Sequence, residues 1–388
     1  MQHNDSNQKA TKTPGFNEGK AGLGHDDTQK EGNEIYVLPN DEQEQDRLST
    51  QHKAFSIGFG GLYPAPEIVR AVLAPQEGVT KRILDLGCGS GIWCTEMARE
   101  FPHCDVLGVD LAPVSVLPEH MPANCKFEIN DINGGLQHLQ GMYDVVQARC
   151  ISLGVNNFRE SLQWVVGCAK PGGIVISMEG DFDFYSGWPM TYAPFWSNSN
   201  PQGSYHSRVL YEIRRSAVLA GSSVMSMEKL LDEGLWNSAP ALDPDTCKAA
   251  DVYLPVGTWC KQGDPAQQEQ LRSVGMLMRE NMMELSRIVQ PGFLQAGWSK
   301  EIVDQWATGM QDECQNGTIG LRMRLAWGRR RAGPNLPAPD LHEVAVDNKV
   351  KYPFYEVYNT PGEAAVATET RNRGKDIPAP PYAQGSTQ

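Results

Sequence analysis

Apolar residues in this chain fall into short runs whose period separates strands from helices. Residues 81–86, 105–109, 126–130, 143–147 and 174–179 are brief apolar runs, each closing near an acid or a glutamine, and read as strands. Residues 92–100 and 158–169 carry helical spacing between them, and Pro171-Gly172-Gly173 punctuates the turn into the fifth run. Strands alternating with helices predict a parallel sheet covered on both faces. Upstream, residues 41–55 form a helix with Asp41, Glu42 and Glu44 in its first turn, where acids suit the positive helix end. Leu48, His52 and Phe55 share one face of it, and a short helix covers 66–73.

The second half is less regular. Residues 205–220 place Val209, Ile213, Ala217 and Ala220 on one face, with Ser204 as cap and Gly221 as stop. A sixth strand is predicted over 247–256. Two helices follow, at 266–290 with Leu271, Val274, Met278, Met282, Leu285 and Val289 on one stripe, and at 299–314 with Ile302, Trp306, Met310 and Cys314 on another. Residues 319–328 alternate Ile319, Leu321, Met323 and Leu325 with small or basic residues, the pattern of a last, antiparallel strand. The fold class expected is therefore α/β: a Rossmann-like seven-stranded sheet, helices on both faces, and a helical lid at about 261–317 inserted before the last strand. Residues 1–34 are polar with almost nothing to bury and read as a disordered tail. The ordered domain is expected over 35–331. The extension 332–388 is rich in Pro and Gly and is read as largely disordered after 360.

Charge and cysteine usage narrow the classes. Against 34 basic residues stand 47 acidic ones, a formal net charge of -13, which works against a phosphate-backbone partner. The nine cysteines are scattered, with no C-x-x-C pair, so reduced thiols are expected and a disulfide framework or zinc site is not. Met1 to Lys12 lacks the apolar stretch of a signal peptide, and no run approaches the ~18 residues of a spanning helix. A soluble cytoplasmic or nuclear protein is the expectation, with no membrane partner and no metal.

The chemistry concentrates at Asp85-Leu86-Gly87-Cys88-Gly89-Ser90-Gly91, between the first strand and the first helix of the alternation. Glycines spaced G-x-G-x-G let the backbone approach a small molecule closely, and the spacing differs from the G-x-G-x-x-G of dinucleotide sites. This loop resembles the first motif of the class I S-adenosylmethionine-dependent methyltransferases. Flanking segments resemble the fungal LaeA-like members. Tyr36, Pro39, Glu44, Arg47, Leu48 and His52 follow that family's Tyr-x-x-Pro-x-Asp-x-x-Glu-x-x-Arg-Leu-x-x-x-His pattern, with Asn40 where the family often has aspartate, or one position on. Pro255-Val256-Gly257-Thr258-Trp259, Gly297-Trp298-Ser299-Lys300-Glu301 and Ala326-Trp327-Gly328-Arg329 resemble its later motifs, so the likeness spans roughly 35–331.

S-adenosylmethionine carries a sulfonium and no phosphate, so its site needs acceptors and close backbone rather than lysines. Asp85 is expected to face the methionyl ammonium. Asp110, 19 positions after Gly91, stands where a ribose-binding acid belongs, with Leu111 beside it. The resemblance implies that Asp131 meets the adenine amino group with Ile132 against the ring. Gln147 and Arg149 should lie under the methionine. Gly87, Cys88, Gly89 and Gly91 complete the expected cofactor set. Methyl transfer is an in-line displacement in which alignment supplies ~7–11 kcal/mol of the barrier, so a catalytic nucleophile is not required. The candidate bases are His52, Glu179, Asp181 and His206, the last read as a surface residue. Phe182, Phe184, Tyr185, Trp188, Tyr192, Phe195 and Trp196 suit an apolar or planar acceptor pocket. The leading expectation is transfer to O or N of a small-molecule, secondary-metabolite-type acceptor. The alternative is a LaeA-like nuclear regulator acting through protein partners or protein methylation.

Overall fold

The computed structural model describes residues 35–114, 116–332 and 351–372; the tail over 1–34 lies outside them. Helix α1 (Glu42–Phe59) opens at Asp41, whose side chain accepts from the Glu44 amide, and closes at Gly60 with φ +76°. After α2 (Pro66–Leu73) come β1 (Lys81–Leu86), α3 (Ile92–Glu100), β2 (Cys104–Asp110), β3 (Cys125–Ile129), β4 (Tyr143–Arg149), α4 (Phe158–Cys168), β5 (Ala169–Ser186) and β6 (Thr191–Tyr192). Then follow α5 (Tyr205–Leu219), α6 (Val224–Asp232), α7 (Leu235–Ser238), β7 (Lys248–Pro255), α8 (Pro265–Ile288), α9 (Gln290–Gln295), α10 (Lys300–Asn316), β8 (Ile319–Arg329), β9 (Tyr355–Tyr358) and α11 (Pro361–Asn372).

The strands lie in the order β3-β2-β1-β4-β5-β8-β7-β9, with β6 hung on β5. Strands β1 to β5 pair in parallel, and β8 runs antiparallel between β5 and β7. The seven expected strands are all present, and the sheet has nine because β6 and β9 extend it. The chain steps outward from β1 through β2 to β3, returns, and steps the other way through β4. That reversal leaves a crevice at the carboxyl ends of β1 and β4, the ligand position of open α/β sheets.

Three differences from the sequence pattern have local causes. Strand β5 begins before the expected Pro-Gly-Gly turn because Gly172 N–H and Gly173 C=O bond Arg330 at the end of β8. The helix expected over 266–290 stops at Ile288 and restarts as α9, where Pro291 cannot donate to the ladder. Residues 361–372, in the stretch expected to be largely disordered, form α11, the residues from 373 on lying outside the described ones, and β9 pairs with the edge of β7. Helix α8 packs along α1, and α10 along α5. Buried Asn281 of α8 donates to the Arg47 carbonyl at 3.1 Å and accepts from its guanidinium at 3.4 Å.

Candidate active site

The glycine loop turns sharply at the end of β1. Gly87, Gly89 and Gly91 sit at φ +71°, +54° and +75°, values that L side chains adopt only with strain. A Cβ on Gly87 would stand 2.5 Å from the Ile151 side chain, and one on Gly91 2.7 Å from the Phe127 ring. The loop closes onto β2: Gly87 and Cys88 amides donate to the Val109 carbonyl, and the Gly89 amide donates to Asp110 Oδ2 at 2.7 Å. Burial raises the Asp110 carboxyl above its ordinary value, while amides of the loop and of Ala112 pull it back. This loop floors a cleft walled by Leu111, Asp131, Ile132, Arg149 and, from α1, Glu44 and Gln51.

Cys88, Gly89, Asp110, Leu111, Asp131, Ile132 and Arg149 thus line one cleft together with Gly87. Asp131 lies two residues past β3 rather than closing it. It caps a short 3₁₀ turn, its Oδ1 accepting from the Asn133 amide and side chain at 2.9 Å each. Asp85, Gln147 and Gly91 sit behind the cleft wall. Asp85 and Gln147 are register partners on β1 and β4, so Gln147 Nε2 reaches Asp85 Oδ1 at 3.2 Å. Burial pushes the Asp85 carboxyl up to about 6 against the pull of Arg149 and Gln147.

A second cavity adjoins the first and shares Tyr36, Leu48, Gln51 and Cys150 with it. Its apolar wall comes from Phe55 of α1, Leu210 and Ile213 of α5, Met282 and Leu285 of α8, and Met323 of β8. Its polar end is a bulge in β5. Register with β8 slips between Gly180 and Phe184, Phe182 takes φ +54°, and Asp181, Phe182 and Asp183 are turned into the cavity.

The candidate bases separate by position. Glu179 lines this cavity. Its Oε1 accepts from the Ile151 and Ser152 amides at 2.9 and 3.2 Å, and its Oε2 from Ser152 Oγ at 2.8 Å. Burial pushes its carboxyl up to about 8, against those three bonds. Asp181 also lines the cavity, but Oδ2 accepts from Tyr185 Oη at 2.6 Å and Arg322 Nε at 2.7 Å. His52 lines neither space. Its Nδ1 lies 3.1 Å from Arg149 Nη1 and its Nε2 2.9 Å from Glu96 Oε2. A guanidinium only donates, so Nδ1 accepts and Nε2 carries the proton. Burial and Arg149 hold the imidazole below its usual value. His206, read as a surface residue, is fully buried, with Nδ1 2.6 Å from Glu313 Oε2 and its ring 4.8 Å from Phe184.

A methyltransferase-domain family model matches residues 63–212. The secondary metabolism regulator laeA of Coprinopsis cinerea is 43% identical over 39% of this chain and 37% of its own length. The methyltransferase pytC of Aspergillus terreus is 27% identical over 73% of this chain and 79% of its own. The protein-methionine methyltransferase laeA of Emericella nidulans is 42% identical over 24% of this chain and 22% of its own. The two laeA matches thus span well under half of those relatives' lengths. By these matches the chain is similar, over part of its length, to the LaeA-like class I S-adenosylmethionine-dependent methyltransferases.

The cleft suits that family's cofactor on its own chemistry. A floor that a Cβ would fill, carboxylates at the mouths of β2 and β3, and the absence of lysine from the lining fit a cation with a ribose and an adenine. The two spaces use α1 more heavily than its sequence suggested. Tyr36, Leu48 and Gln51 form the partition between the two spaces, and the available signal was the Tyr-to-His pattern across 36–52. Arg322 was missed because the alternation along β8 marks a strand without telling which charges are buried, and Arg322 and Arg324 both are. The aromatic group is used mainly for packing. Phe182 and Phe184 face the second cavity, while Trp188 stacks on Phe354, Phe195 on Tyr211 and Trp196 on Tyr205. Among the described residues no helix is long and apolar enough to cross a membrane.

Proposed function

We propose that this chain transfers the methyl group of S-adenosylmethionine to an oxygen or nitrogen of a neutral, largely apolar small molecule of the secondary-metabolite type. The observation that carries this reading is the shared partition: a ring- and aliphatic-lined cavity opens against the cofactor cleft across Tyr36, Leu48, Gln51 and Cys150. Asp110 is assigned to the ribose hydroxyls, Asp131 and Ile132 to the adenine, and the Gly87–Gly89 backbone, with Asp85 behind it, to the methionyl end. The cofactor supplies an electrophilic methyl on a sulfonium. The chain's part is to exclude water and align the acceptor, the source of most of the rate. Glu179 is the proposed proton acceptor. It lines the acceptor cavity, a carboxylate offers roughly four lone-pair sites of which three bonds use three, and its value near 8 lies close to working pH. His52 is assigned to orienting Arg149.

The test is incubation of purified protein with methyl-labelled S-adenosylmethionine and a panel of neutral phenols and amines. Label should enter the small-molecule fraction and climb in rate through about pH 8. A second reading, a LaeA-like regulator acting through protein methylation, takes its support from the names of two relatives, a secondary metabolism regulator and a protein-methionine methyltransferase. Label confined to protein would select it and end the small-molecule reading.

A further inference from the structure

Behind the bulge of β5 lies a buried ionic cluster spread over five elements. Asp181 of β5 bonds Arg322 of β8, and Arg322 Nη1 reaches Asp251 Oδ1 of β7 at 3.3 Å. Asp251 also accepts from Arg324 Nε at 2.6 Å, and Asp232 of α6 stands 3.3 Å from Arg324 and 3.8 Å from Arg322. The remaining cation arrives from the far end of the described chain. Arg371 of α11 donates to Asp251 Oδ2 and to Asp232 Oδ1, each at 3.0 Å. Its side chain is 5% exposed. These three carboxylates and three guanidiniums balance. Without Arg371 the cluster would carry one uncompensated negative charge in a medium that screens poorly. Arg322 would then be drawn toward Asp251 and Asp232, away from Asp181 at the cavity wall.

We infer that Arg371 is a positioning and specificity-determining residue for the acceptor cavity. It acts through Asp251 and Asp232 on the Arg322–Asp181 pair, and keeps the cluster behind that end of the cavity in charge balance. The inference rests on the second cavity being the acceptor site.

Two probes report on it without an identified acceptor: Nile red, neutral and apolar, and 1-anilinonaphthalene-8-sulfonate, an anion of similar size. Leu285→Trp fills the cavity and should abolish the binding of both. If it changes neither, the cavity is not where they bind, and both the acceptor reading and this inference fail. Given that control, Arg371→Met should weaken the anion relative to Nile red by about fivefold or more, the usual scale of coupling between sites. Arg371→Lys should restore the ratio. Asp232→Asn alone leaves one surplus positive charge and should move the ratio the opposite way, which decides the matter even where Arg371→Met does not fold. Combined with Arg371→Met it should return the ratio to the native value. Affinity for S-adenosylmethionine, measured by calorimetry, should stay within about twofold throughout. If Arg371→Met and Asp232→Asn leave the ratio unmoved or shift it in one direction, Arg371 is a structural tie only and the inference is overturned, while the acceptor reading survives on the Leu285→Trp control.

Discussion

Asp110 does two things at once. One oxygen holds the Gly89 amide at 2.7 Å and so keeps the loop in its left-handed bend, while the residue also lines the cleft. Asp110→Ala leaves a loop amide unpaired and removes an acceptor from the ribose position. A loss of ~1–3 kcal/mol corresponds to affinity for S-adenosylmethionine weaker by about 5- to 150-fold; isothermal calorimetry reads it directly. Glu179 and Asp85 make a different prediction. Each carboxyl titrates higher in the folded chain, at about 8 and about 6, than its ordinary 4.5 and 3.8. Folding therefore takes up protons in that window, and their contribution to stability declines as pH rises from about 4 to about 8. Glu179→Gln removes the larger share of this slope. Urea midpoints of wild type and variant should lie close near pH 4 and diverge as pH rises toward 8, the variant keeping the higher midpoint, and a constant offset would show that Glu179 does not titrate there. Asp251 has the opposite sign. Despite its burial, Arg322, Arg324 and Arg371 hold its carboxyl far below the usual range, so its contribution is complete above the ordinary 3.8 and lost below it.

Among the elements, α1 and α8 decide whether there are two spaces or one. Helix α1 supplies Leu48 and Gln51 to the partition, and its Arg47 is gripped by Glu44 at 2.6 Å through two nitrogens. Helix α8 is placed against it by the fully buried Asn281, one turn from the cavity-lining Leu285. Asn281→Ala leaves buried partners on Arg47 unmet and creates a small void. It should lower stability by ~1–3 kcal/mol, visible as a reduced denaturant midpoint at unchanged slope. A midpoint within error of wild type would show that the Arg47 bonds do not hold these helices together.

The whole molecule is a sheet extended past the seven expected strands and closed by its own C-terminal segment. Strand β9 covers the edge of β7, Phe354 stacks on Trp188 at 4.0 Å, and α11 brings Arg371 into the ionic cluster. Ending the chain at residue 350 would expose a sheet edge and strip the cluster of one cation. Breaking a buried pair costs ~3–5 kcal/mol, so the melting temperature should fall by roughly 10 °C, and the exposed edge should favour aggregation. Scanning calorimetry of the two lengths checks this; equal melting temperatures would leave β9 and α11 without a stabilising role.

The alternation of strand and helix, the glycine loop and most strand limits in the first half were legible because each depends on neighbours within a few residues. Periodicity marks a strand that is buried on both faces, and a G-x-G-x-G bend after an acid has few other uses. Asp110, Asp131 and Arg149 reached the cleft from sequence alone because a parallel sheet puts every strand's carboxyl end on one side. What sequence could not decide was which charged side chains would be matched. Nothing in the alternation of 319–328 told that Arg322 and Arg324 would be buried, which Asp251 on the neighbouring strand and Arg371, some 47 residues past Arg324, allow by closing around them. His206 looked exposed until Glu313 arrived from α10. Local pattern records how a segment pairs with itself and with water, whereas a buried charge is tolerated only through partners distant in sequence, and those partners are brought together only by the folded chain.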